Sequence, residues 1–336
     1  MEKNIDLLHG RSLPSLTALA VPIMATALVQ TAYSLTDMAW VGRLGSAAVT
    51  SVGAAGMYTW LSSGLVTIAR MGGQVKAAQS IGEGKREEAG LYAGGAIQLT
   101  IFFALMFAVV TNLFAEPLIR FFALNEDKIV ADAVVYLRIA CGLILFSFLN
   151  QTLTGLYTAA GDSKTPFLAN LIGMGANVVL DPVLIFGWGP FPRMEVAGAA
   201  IATVTAQIMV TAVLVAAAGK DKVLFPHLRL IRLVPGKFFK VMIKVGLPSG
   251  IQSMIYSMIS MVLTRFVAAW GDDAVAVQRV GSQIESISWT TADGFGSAIN
   301  AFVAQNYGGR RSDRVKKGYL TAAGIVCLWG LFPTAV

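Results

Sequence analysis

Long apolar runs recur along the whole chain, each parted from the next by a short polar or Gly/Pro-rich connection, and none alternates polar with apolar positions. Continuous runs of about 20 residues predict helices that cross roughly 30 Å of hydrocarbon, not the strands of a barrel. They place spans at about 13–40, 47–69, 91–114, 133–158, 167–188, 196–218, 241–267 and 280–304, with a ninth from about 319 to the end at Val336. A turn, Gly42-Arg43-Leu44-Gly45, follows the first span, and a basic loop with Lys76, Gln79, Gly82, Lys85 and Arg86 follows the second. The longest polar connection, Gly219 to Gly236, carries Lys220, Lys222, His227, Arg229 and Arg232.

After that connection the sequence begins again. Pro22 matches Pro248, Gly45 matches Gly271, Ala48-Val49 matches Ala274-Val275, and Gln79-x-x-Gly82 matches Gln305-x-x-Gly308, all at one ungapped offset of 226. Such a shared offset, in register with the apolar runs, marks an internal repeat. Six spans separate the copies, an even number, so both keep one orientation and are related by an axis along the membrane normal. The expected fold is an all-α polytopic membrane protein of two pseudo-symmetric six-helix lobes. Residues 1–218 form the first lobe, 219–236 a cytoplasmic linker, and 237–336 the start of the second, with spans seven to nine. A repeat of six that stops after three predicts a truncated chain.

Composition agrees: 55% of the 336 residues are hydrophobic and 13% charged, with a mean hydropathy of +0.66. No soluble domain could cover itself with so little polar surface. The net charge of +7 has the cause usual in membrane proteins, since cytoplasmic loops collect Lys and Arg. With the N-terminus cytoplasmic, 18 of the 26 Lys and Arg fall on that side, which sets the expected topology in a cell membrane. No basic patch carries the interleaved aromatics of a nucleic-acid platform, so no nucleic acid is expected. Met1 to Arg11 is polar without a cleavable signal pattern, and Cys141 and Cys327 lie in apolar runs as small hydrophobes.

The candidate chemistry centres on Asn177 and Asp181, in the middle of the fifth span. A carboxylate at mid-bilayer depth costs about 3 kcal/mol on insertion scales, so it belongs facing a bundle interior or a watery cavity. The i, i+4 spacing puts both side chains on one helical face, where one cation or proton site can use both. The bland alternative is a helix-end Asp capped by its neighbours. Pro182 follows directly and predicts a kink that frees a carbonyl near Val178. Asp37 is either an interfacial acid at the end of span one or a second member of a buried site. Asn150, Gln151 and Thr154 cluster on one helix, either lining a cavity or bonding to neighbouring helices. Arg70 reads as a snorkelling side chain. Arg279, Glu285 and Asp293 in span eight either pair or face a central cleft.

The pattern from Pro22 to Asp37-x-x-Trp40-Val41-Gly42-Arg43-Leu44-Gly45, the loop Gln79-Ser80-Ile81-Gly82, the turn Gly161-Asp162-Ser163-Lys164-Thr165-Pro166, Asn177-x-x-x-Asp181-Pro182 and the six-span repeat together resemble the MATE (multidrug and toxic compound extrusion) antiporters. An acid in span one with Asn and Asp in span five looks like their prokaryotic DinF-like branch. The NorM-like branch carries an acid in span seven, where this chain has Gln252, Tyr256 and Ser260. The resemblance implies a secondary antiporter, acting as a monomer in the lipid bilayer, that exports small organic, often cationic, compounds against protons or Na⁺. It assigns cation coupling to Asp37, Asn177, Asp181 and Thr203, where Na⁺ could also sit, and it lines the same cavity with Tyr33 and Tyr136. Apart from that coupling ion no cofactor is expected. The alternatives are a lipid-linked saccharide flippase, which calls for a more basic cavity, and an intramembrane aspartyl enzyme. No Walker motif, HExxH or clustered Cys/His occurs, and the only histidines, His9 and His227, lie in polar segments, which argues against an ATP-driven pump or a metalloenzyme.

Overall fold

The structure, a computed structural model, describes residues 5–9, 12–122, 124, 126–221, 223–228, 233–268, 289 and 292–335. Its helices are α1 (Ser12–Gly42), α2 (Ser46–Gly82), α3 (Arg86–Leu113), α4 (Ala115–Arg120), α5 (Asp127–Gly142), α6 (Leu145–Ala159), α7 (Lys164–Phe186), α8 (Glu195–Ala218) and α9 (Gly236–Ala268), then α10 (292–308) and α11 (Ser312–Ala335). Among the described residues four of them, α1, α3, α7 and α8, are long and apolar enough to cross a membrane, and α5 with α6 makes a fifth if the bent pair counts as one span. The fold is therefore all-helical and multi-span, as the apolar runs predict.

Two spans differ from expectation. The run at 133–158 is not one helix: α5 and α6 meet at a bend of 44°. The break falls just after Gly142, where a residue without Cβ weakens the helix and Asn112 packs close. The second span does not stop near residue 69. It continues as α2 to Gly82, so Lys76, Gln79 and Gly82 are helical and not in a loop. Neighbouring helices, not lipid or water, cover this extension, which lets it bury Gln74 and Ser80. The beginning of span eight, with Arg279 and Glu285, lies outside the described residues.

At the centre, α2 packs against α3, α5, α6 and α9. Small residues permit the approach: a Cβ at Gly72 would overlap the main-chain carbonyl of Met242, and one at Gly246 that of Ile68. The repeat reappears in these contacts. Gly250 on α9 lies against Ile68 of α2, and Gly294 on α10 lies against Met24 of α1, the same pair displaced by 226 in each partner.

One end of the bundle is closed by hydrogen bonds. Gln74 Nε2 donates to the Ser297 carbonyl (3.0 Å), Gln305 Nε2 to the Ala159 carbonyl (2.6 Å), and Asn306 Nδ2 and Arg314 Nη2 both to the Leu7 carbonyl (3.0 Å each). The N-terminal segment is held there too, by the Ile5 amide donating to Gly161 (3.1 Å). At the same end Asp162 caps α7, accepting from the Lys164 and Thr165 amides at 3.1 and 3.0 Å. The other end of α7 stops at Gly187, whose φ of 74° is left-handed.

Candidate functional site

Helix α7 runs unbroken through Pro182. It carries Asn177 and Asp181 one turn apart, both with no exposed surface. Asn177 Nδ2 donates to Asp181 Oδ1 at 3.1 Å, which fixes the amide's orientation and leaves its oxygen free. From α1, which packs along α7, come Tyr33 and Asp37; from α8 comes Thr203. Asp37 interacts electrostatically with Asp181, and Tyr33 with both carboxylates while facing Thr203.

Five oxygens in this cluster are buried without a hydrogen-bond partner: Tyr33 Oη, Asp37 Oδ1, Asn177 Oδ1, Asp181 Oδ2 and Thr203 Oγ1. An unpaired buried polar atom forfeits its hydration, and natural folds keep few of them. Five together, two on carboxylates, make a set of hard oxygen donors of the kind that holds a cation or a proton. Tyr136 from α5 borders the cluster, within electrostatic reach of Asp37, Tyr33 and Asp181. Beyond Asp37, Trp40 meets Phe186 and Trp188 edge-on, with ring centroids 6.2 and 6.4 Å apart, and Arg43 stands 4.5 Å from the Trp40 ring centre.

A separate cavity of about 580 Å³ opens nearer the closed end, walled by α1, α2, α6, α7, α8, α9 and α10. Tyr33, Asn150, Gln151 and Thr154 lie on its wall; Tyr136, Asp37, Asn177, Asp181 and Thr203 do not. Tyr33 belongs to both places and stands between them. Asn150 is on the wall and also bonded into it, since Nδ2 donates to the Gln207 carbonyl at 3.0 Å and Oδ1 accepts from Thr211 at 2.7 Å. Gln30 Nε2 donates to Asn170 Oδ1 at 3.3 Å, tying the cavity portions of α1 and α7 together.

Arg70 does not snorkel to a surface. It lines the cavity, and its Nε is buried without a partner. No local signal in the sequence marks this, because the room for its stem comes from Gly155 on α6, where a Cβ would stand 2.9 Å from Arg70 Cγ. Asp293 lines the cavity as well, on α10. Among the described residues Asp293 and Arg70 form no ion pair, and Asp293 faces the cleft, one of the two expected alternatives, while Arg279 and Glu285 lie outside the described residues.

The MatE family profile matches residues 22–183 and 248–336, two segments whose first residues, Pro22 and Pro248, are again 226 apart. A probable multidrug resistance protein NorM of Thermotoga maritima is 29% identical over 297 residues, covering 87% of this chain and 63% of that protein. The probable multidrug resistance protein YoeA of Bacillus subtilis is 27% identical over 90% of this chain and 66% of its own length. The chain thus spans slightly less than two thirds of these curated relatives. A crystal structure of a MATE protein in a bent conformation superposes with a TM-score of 0.89 at 25% identity, over 100% of this chain and 74% of the other. With its repeat, its helical architecture and a profile match over most of its length, the chain belongs to the MATE family of multi-span membrane proteins.

Proposed function

We propose that the chain works as a secondary antiporter that exports small organic compounds while protons or Na⁺ enter, with coupling at Asp37, Asn177, Asp181 and Thr203 in the manner of the DinF-like branch. The observation that carries this reading is the convergence of five unpartnered buried oxygens from α1, α7 and α8. Two carboxylates that share a poorly solvated cluster repel, and a proton or Na⁺ relieves that repulsion. Neutralisation changes which arrangement of α1 and α7 is favoured. The same two helices supply Gln30, Tyr33, Asn170 and Met174 to the cavity wall, so the ion and the organic compound bias one equilibrium from two places.

In this reading residues 1–218 form the coupling lobe, 219–236 a cytoplasmic linker and 237–336 the part of a second lobe that faces it. The N-terminus is cytoplasmic, as the Lys and Arg distribution favours, which makes the hydrogen-bonded end the inner one. The expectation of a cationic substrate leaned on Asp37 and Asp181, and those acids stand off the cavity wall. A saccharide flippase has little support either, because among the described lining residues Arg70 and Asp293 leave no net basic charge.

The test is efflux from cells lacking other pumps, with the ion gradient varied. Asp181→Asn and Asp37→Asn should each reach the membrane yet lose dependence of efflux on the gradient, and the double variant should be little worse than either. Undiminished gradient-driven efflux by Asp181→Asn would remove the cluster from the mechanism.

A further inference from the structure

The described wall of the large cavity is rich in hydroxyl and amide side chains and poor in aromatic ones, with polar and apolar surface of similar extent. Of its 27 lining residues among those described, only Tyr33 is aromatic, and 16 carry hydroxyl or amide side chains. Pockets for drug-like molecules are lined predominantly by apolar and aromatic groups. Only two of the described lining residues are charged. Asp293 is exposed, whereas Arg70 is half-buried, its Nε cut off from solvent and without a hydrogen bond. Its stem passes over Gly155, where a Cβ would stand 2.9 Å from Arg70 Cγ, so the fold leaves room for the side chain to lie inward.

We propose that Arg70 is the anchor for an anionic group, a carboxylate or a phosphate, on a hydrophilic organic solute that occupies this cavity. A guanidinium presents a planar fork of donors that matches two oxygens of either group, and the buried Nε of Arg70, which has no partner, would gain one from such a group. The volume, about 580 Å³, suits a molecule of metabolite size. The neutral hydroxyl and amide wall supplies hydrogen bonds to the rest of the solute, and Asp293 accepts from its donors. Position gives the anchor a second consequence. Gln74, one turn along α2 from Arg70, donates to Ser297 where α2 and α10 close, and its Oε1 is itself unpartnered. An anion on Arg70 therefore sits against the closure and bears on its opening.

This inference names the substrate chemistry of the proposed transporter and rests on that reading only in taking the cavity as the substrate's place. Equilibrium binding tests it without any ion gradient, so a failure of coupling and a failure of the anchor are told apart. The full chain in lipid nanodiscs is titrated with AMP, gluconate, adenosine and tetraphenylphosphonium, read by tryptophan fluorescence at constant ionic strength. AMP should bind if the anchor takes phosphate and gluconate if it takes carboxylate; adenosine should bind at least tenfold more weakly than AMP. Arg70→Gln should weaken the anion about tenfold or more, with Arg70→Lys between it and the parent. Retained helicity and thermal unfolding of the Lys variant guard against misfolding. Anion binding unchanged by both substitutions, tetraphenylphosphonium as the sole probe bound, or no anion bound at millimolar concentration would each overturn the proposal.

Discussion

Gly82, in the last turn of α2, lies against the main-chain carbonyl of Gln305 on α10, and Gly308 of α10 lies against that of Gln79 on α2. The contact is reciprocal, which is what a two-fold relation between the repeat copies requires. It also gives a reason for the repeated Gln-x-x-Gly: a Cβ at either glycine would overlap backbone that cannot swing aside.

Gly82→Leu and Gly308→Leu should therefore have matching effects. Forcing a side chain into packed backbone costs about 1–3 kcal/mol. Each variant should open the hydrogen-bonded end, seen as faster labelling of a cysteine placed at Ala159, with a lower unfolding temperature in detergent. Equal labelling rates in parent and variants would show that the close approach does not hold that end shut.

Thr203 offers a cleaner probe of the oxygen cluster than either acid. Its hydroxyl is buried with the Tyr33 hydroxyl as its polar neighbour, so replacing it with the near-isosteric Val removes a desolvated group that touches only the cluster. Thr203→Val should keep or slightly raise the unfolding temperature while shifting the ion concentration for half-maximal transport upward several-fold. A fall in thermal stability with unaltered ion dependence would assign the hydroxyl a structural role instead.

Asn150 should behave in the opposite way. It joins the Gln207 carbonyl and side chain to Thr211 across α6 and α8. Asn150→Leu leaves those partners buried and unpaired, at about 1–3 kcal/mol, and should lower the unfolding temperature by several degrees. Thermal unfolding that matches the parent would mean that water replaces the amide.

Acid sensitivity is expected at the turn after α2. Lys85 Nζ lies 2.7 Å from Glu83 Oε2, and its hydrogen bond holds the Glu83 carboxyl below the usual range while raising the Lys85 ammonium. A carboxyl with a lowered folded value adds stability that is present above its unfolded value, about 4.3, and is lost as pH falls through the folded one. Both groups are exposed, so the effect is small and screened by salt. The unfolding temperature of Glu83→Gln should lie slightly below the parent near neutral pH and converge with it in acid or high salt. A gap that persists in acid would point to a cause other than this pair.

The sequence by itself determined that the chain is a multi-span helical membrane fold, because a backbone crossing hydrocarbon must satisfy its own hydrogen bonds and leaves an unbroken apolar run as its record. It also placed Asn177 and Asp181 on one face, since an i, i+4 relation is local to a single helix, and the bond between them follows. What lay outside local geometry was decided only by tertiary structure. The continuation of α2 to Gly82 depends on helices that cover it, and the bend after Gly142 on what packs beside it. The inward course of Arg70 depends on Gly155, 85 positions away, lacking a side chain. The separation of the oxygen cluster from the cavity, with Tyr33 between them, is likewise set by how α1, α7 and α8 pack. A sequence records the polarity of each side chain, whereas the direction in which a charge points is fixed by the neighbours that leave it room.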